Sequence, residues 1–145
     1  MQHDPYNSYS FLLERTAKRV KHYAQSKFRA EGFNITVDQW VVLCRLSRDK
    51  GRKQNEIAEE IGKDNPTLTR IIDLLCEKNL TERIVNPDDR RSFLVQLTDI
   101  GQEKVEMLAP KIQEIRLDAW QGLTDKDFSH FQKVLNTIYK NLELS

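Results

Sequence analysis

Few residues in this chain could do chemistry, and the most conspicuous stand together: Asp88, Asp89, Arg90 and Arg91, between the apolar runs TERIVN and SFLVQL. Two uses compete for them. The carboxylates and guanidiniums could neutralise one another as a surface ion-pair cluster. Alternatively, the arginines could reach for a polyanion, since a guanidinium enters the narrow, electronegative minor groove of A·T-rich DNA without a unique base edge. Bond-making chemistry finds no support. His3, His22 and His130 lack metal-ligand spacing, Cys44 and Cys76 are not paired as Cys-x-x-Cys, and there is no phosphate-cradling glycine loop or nucleophile elbow. The expectation is a protein that is not an enzyme and needs no cofactor or metal.

A charged tip acts only if the chain holds it out, and TERIVN and SFLVQL read as two strands joined by the turn-forming NPDDRR. Upstream, a short helix over Gln54 to Ile61 closes at Gly62. In NPTLTRIIDLL, Asn65 is a favoured N-cap and Pro66 suits the first helical position. Leu68, Ile71, Ile72 and Leu75 then share an inner face, which turns Thr67, Thr69, Arg70 and Asp73 outward. Two short helices with such a turn form a helix-turn-helix, and the hairpin beside it makes a wing.

Longer amphipathic helices flank this core. The first starts near Asn7 to Ser10, carries Phe11, Leu12, Ala17, Val20, Ala24 and Phe28, and ends at Gly32; its other face is basic. A second opens at Thr36, in a capping box with Gln39, with Val37, Trp40, Val41 and Cys44 inward. After the wing, Asp99 and Gln102 are spaced as a cap for a long helix that Pro110 should kink. The last begins at Thr124 and aligns Phe128, Phe131, Leu135, Ile138 and Leu142 in a coiled-coil-like seam. Such apolar faces around a small core need a partner, which predicts a homodimer.

With 145 residues, 39% hydrophobic and 31% charged, the chain suits one ordinary globular domain. A net charge of +1 means that attraction to phosphate must come from local clusters. The opening MQHDPYNSYS has no basic stretch leading into an apolar run, and no stretch is apolar enough to span a membrane, so a cytoplasmic location without membrane contact is expected. The cysteines lie in apolar helical patterns and read as buried thiols.

The order of elements, with LTRIIDLLCEKNLTERIVNPDDRRSFLVQLTDIG, resembles the MarR family of bacterial transcriptional regulators over essentially the whole chain. Asp89, Arg91, Leu97, Thr98 and Gly101 match that family's wing and the Leu-Thr-x-x-Gly helix start after it. The resemblance implies a mostly α fold with a small β wing over residues 1–145. Residues 36–98 would form a winged helix-turn-helix core, with 7–32 and 99–145 as long dimerisation helices. It implies major-groove contacts from Asn65, Pro66, Thr67, Thr69 and Arg70, and wing contacts from Arg91, with Arg90 beside it and Asp89 orienting it. Two-fold symmetry then calls for a palindromic operator with half-sites about 34 Å apart.

The resemblance further implies a repressor released by a small anionic or phenolic effector, in a pocket involving His22, Phe28 and Trp40. Phe28 and Trp40 also read as ordinary core aromatics. A peroxide-sensing branch of the family carries a reactive cysteine near the start of the first helix, and this chain has none there. Because a fold does not fix a function, the rival reading is a winged-helix protein-interaction module without DNA binding.

Overall fold

The structure, a computed structural model, describes residues 4–144; His3 lies outside them. A short 3-10 helix, Pro5–Ser8, leads into α1, Tyr9–Ala30, followed by α2, Val37–Leu46, and the strand β1, Arg52–Lys53. Then come α3, Gln54–Ile61, α4, Asn65–Glu77, and the strands β2, Thr81–Asn86, and β3, Asp89–Leu97. The helix α5, Asp99–Leu117, a second 3-10 helix, Asp118–Trp120, and α6, Asp125–Asn141, complete the chain. The fold is mostly α with a small antiparallel sheet ordered β1-β3-β2. The strand β1 is not among the expected elements, because two residues are too few to show an alternation. Arg52 pairs with Val95 and Lys53 with Leu94.

The helix α2 is the hub of the core. Thr36 and Gln39 form the expected capping box, and the helix packs against α1, α3, α4, α5 and β3. Enclosure on so many sides corrects its expected inner face. Val37 and Trp40 are buried, Val41 and Cys44 only half so, and the deepest side chains are Val42 and Leu43. Both cysteines are half-buried, less deeply than expected. Burial nonetheless pushes the Cys44 thiol up, against the pull of Arg116, Arg45 and Arg48, which makes it a poor nucleophile.

Two helix starts differ from expectation by one residue. Asp64, not Asn65, caps α4, its carboxylate accepting from the Thr67 N–H at 2.8 Å, so Asn65 is the first helical residue and Pro66 the second. Pro66 still lies in the first turn, where no intrahelical N–H is required. For α5 the cap is Thr98 rather than Asp99. Its Oγ accepts from the Gly101 N–H at 3.0 Å and donates to the Asn79 carbonyl at 2.6 Å. The helix then continues through Pro110 to Leu117.

Gly101 is required here by close approach. A Cβ at this position would lie 2.0 Å from the Leu80 carbonyl oxygen, which is backbone and cannot swing aside. Gly101→Ala must therefore push α5 off the base of the wing. We expect it to destabilise the protein by about 1–3 kcal/mol or more, read by chemical denaturation; a variant as stable as wild type would contradict the packing.

Away from this core, long apolar faces remain open. The helix α6 buries no residue, and Phe128, Phe131 and Leu142 on its seam are exposed. In α1, Ala24 and Phe28 are buried, whereas Phe11, Leu12 and Val20 are exposed. Trp120 sets the position of α6, its ring lying 5.2 Å from Phe128 and 5.5 Å from Phe131.

Candidate nucleic-acid interface

The start of α4 is presented by the turn after α3, where Gly62 adopts φ 69° and lets the chain reverse. With Leu68, Ile71, Ile72 and Leu75 committed to the core, Asn65, Pro66 and Arg70 stand exposed, and Thr67 and Thr69 are half-buried. The Thr67 backbone N–H, donated to Asp64, holds that carboxyl below its ordinary range. Thr69 is less free than its position in the sequence suggests. Its hydroxyl donates to the Asn65 carbonyl at 2.9 Å and accepts from the Gln54 side-chain amide at 2.7 Å. What Thr69 offers a groove is therefore its methyl group. Gln54, which sequence reasoning missed, braces α3 against the exposed start of α4; only the tertiary contact reveals it.

The wing is tied to the same helix. Arg83 of β2 donates to Asp73 of α4 at 2.7 Å, and the Cys76 sulfur lies 3.2 Å from the Thr81 hydroxyl. At the far end the ladder pairs Val85 with Phe93 and then Asn86 with Asp89, so Arg90, Arg91 and Ser92 bulge from β3 without opposite partners. A bulge of this kind re-aims side chains at a strand's rim. The charged tip thus belongs to the arm itself, because β3 begins at Asp89 and not at Ser92 as expected.

Backbone and side-chain bonds stiffen this tip. The buried Asn86 accepts from the Asp88 N–H at 3.0 Å and donates to the Ser92 hydroxyl at 3.1 Å, which in turn donates to the Asp89 carbonyl at 3.2 Å. Asp89 accepts from the Arg91 N–H at 3.0 Å, so it positions Arg91 through the backbone. Among the described residues, neither the Arg90 nor the Arg91 guanidinium is in an ion pair. The arrangement can present two exposed cations, on an arm bonded to the helix that bears Arg70, to an anion of extended shape.

A separate cleft of about 400 Å³ opens between the end of α1, the loop after it and the end of α4, lined in part by Gln25, Phe28, Arg29, Ile35, Thr36 and Lys78. Of the three residues expected at an effector pocket, Phe28 alone reaches it. His22 is exposed along α1, and Trp40 is buried in the core. Phe28 is itself a core residue, its ring 5.4 Å from that of Phe33. Lys78 donates to the Asn34 carbonyl at 2.8 Å and to the Gln39 side-chain oxygen at 3.2 Å. Desolvation, with Lys104 nearby, pushes its ammonium pKa down.

Comparison with known proteins follows the same outline. The model of the MarR family matches residues 35–93, from the start of α2 into the wing. YhbI of Bacillus subtilis, an uncharacterised HTH-type transcriptional regulator, is 26% identical over 113 residues, spanning 78% of this chain and 73% of its own. IacR of Pseudomonas putida, an HTH-type transcriptional repressor, is 24% identical over 146 residues, spanning 97% of this chain and 87% of its own. Among solved structures, the S. aureus MepR-DNA complex is similar with a TM-score of 0.79 at 26% identity, covering 92% of this chain and 98% of that one.

Proposed function

Because the chain belongs to the MarR family, we propose that it is a sequence-specific transcriptional repressor that binds a palindromic double-stranded DNA operator as a homodimer. The observation that carries this reading is the pair of guanidiniums, Arg90 and Arg91, in no ion pair among the described residues, on a stiffened arm that Arg83 ties to Asp73 of α4, the helix whose start faces outward. In this reading Asn65, Pro66, Thr67 and Arg70 enter the major groove, where hydroxyls and a guanidinium can read base edges. Thr69 adds a methyl that can meet a thymine methyl. Arg91 enters the flanking minor groove, Arg90 contacts the backbone, and Asp89 holds the turn.

Residues 1–145 act as one MarR-type domain. Residues 36–98 form the DNA-binding core, and 7–32 and 99–145 form the dimerisation region, whose open apolar faces the second copy covers. We assign the protein no catalytic step. Among the described residues no helix is long and apolar enough to cross a membrane, and we assign the protein to the cytoplasm, where its operator would be.

The cleft at Phe28 is our choice for the effector site. It brings the cations of Arg29 and Lys78 to one opening, a lining suited to the carboxylate of a small anionic ligand. Lys78 follows directly on α4 and is bonded to the loop after α1, so a ligand there can favour one placement of α4 over another.

Selection of duplexes from a random pool, followed by affinity measured against salt, tests the reading. A dimer making about 6–10 phosphate contacts should lose roughly 10³–10⁵ in affinity between about 50 and 200 mM salt. Binding that ignores salt, or no binding to any duplex, would favour the protein-interaction module. In the same titration, benzoate should weaken operator binding by about 5- to 150-fold in the wild type and leave Lys78→Met unaffected; indifference of the wild type would remove the cleft as a site for such a carboxylate.

A further inference from the structure

The wing carries an apolar pair that the guanidinium contacts do not use. Val85 and Phe93 sit directly opposite each other across the β2/β3 ladder, and both are more than half exposed, at 54% and 56%. They lie between Arg83, which is held to Asp73 of α4, and the bulged Arg90 and Arg91 at the tip. By the two-residue period of β3, Phe93 shares a face with Val95, which is buried at the base of the hairpin. The core-facing side of the sheet therefore continues past the protein body and stays apolar where nothing in the subunit covers it. Native hairpins ordinarily blunt such an outer segment with charge.

We infer that Val85 and Phe93 form an apolar saddle that seats on the deoxyribose ridge between the major groove read by α4 and the minor groove entered by Arg91. This inference rests on the DNA-binding reading and adds to it a contact that is neither ionic nor base-specific. The occupant follows from continuity. If α4 lies in one groove and the arm tip in the next, the surface between them faces the single strand of backbone that separates the grooves. The sugars are the apolar part of that strand, whereas its phosphates are met by cations. The pair would set how deeply the arm sits, and so how far Arg91 penetrates.

Affinity for a duplex selected by the wild-type protein, measured over a range of salt, tests the saddle. Phe93→Thr keeps a strand-forming residue, and it should weaken binding about tenfold at every salt concentration, with the slope of affinity against salt unchanged because no counterion is displaced. Phe93→Leu should stay within about twofold of wild type, since the apolar surface is retained. Two results would overturn the saddle: Phe93→Thr binding as tightly as wild type, or Phe93→Leu losing as much as Phe93→Thr. A wild-type protein that binds no duplex would instead remove the DNA-binding reading beneath it, which the selection step reveals first.

Discussion

A Phe131→Glu, Leu142→Glu double variant is expected to sediment as a monomer and to bind the operator about 10²–10⁴-fold more weakly than wild type. Both side chains are exposed in the isolated subunit, at 45% and 64%, and α6 buries nothing against its own core. The substitutions therefore leave the winged segment its own packing, and within the subunit they disturb the contact of Phe131 with Trp120 in the dimerisation region. What they remove is the reason for a second copy to dock. An unpaired carboxylate in that seam would have to be desolvated, which costs more than the apolar contact returned. Binding then falls because two linked half-site readers become independent, each without the high local concentration its partner supplied. Two measurements separate this from simple unfolding. Helical circular dichroism should be largely retained, and the melting temperature, which should rise with protein concentration in the wild type, should become concentration-independent. A variant still dimeric at micromolar concentration would show that the seam is not the subunit contact.

Much of the fold is legible because it is written in local rules. The capping boxes at Thr36 with Gln39 and at Thr124 with Asp127 fix helix starts within four residues, and Gly62 ends α3 through its own backbone freedom. The strand TERIVN is legible residue for residue. Where local rules mislead, a distant contact makes the choice. Asp64 and Asn65 are both good caps, as are Thr98 and Asp99. At the second, the Thr98 hydroxyl also donates to the distant Asn79 carbonyl, a bond that no local propensity encodes. The strand β1 exists only because β3 offers it an edge, and the all-round burial of α2 follows from the elements stacked on it.

The candidate site divides the same way. That Arg90 and Arg91 stand at the tip is visible from the sequence. Their freedom from Asp88 and Asp89 is not, because it depends on the bulge and on Asn86 and Ser92 occupying the turn. Residue type suggests a free hydroxyl at Thr69, and the Gln54 amide takes it. The cleft is the least legible part, since Lys78 and Arg29 meet only through the path of the loop between α1 and α2.

Removing the Arg91 guanidinium should therefore test recognition with little disturbance to its frame. The bonds that shape the tip run through Asn86, Ser92, Asp89 and the Arg91 backbone N–H, and alanine keeps every one of them. Arg91→Ala is expected to cost about 1–3 kcal/mol at each half-site, so a symmetric dimer should lose roughly thirtyfold to twenty-thousandfold in operator affinity. The loss should be greatest on duplexes with A·T-rich flanks, where the narrow minor groove concentrates negative potential. Arg90→Ala, by contrast, should weaken all duplexes alike and lower the salt slope by about one for each phosphate left without its cation. Arg91→Lys restores the charge but not the flat, weakly hydrated head that a narrow groove accepts, so it should recover only part of the affinity. If Arg91→Ala binds its operator with wild-type affinity and the same flank preference, the wing does not read the minor groove, and specificity must reside in α4 alone.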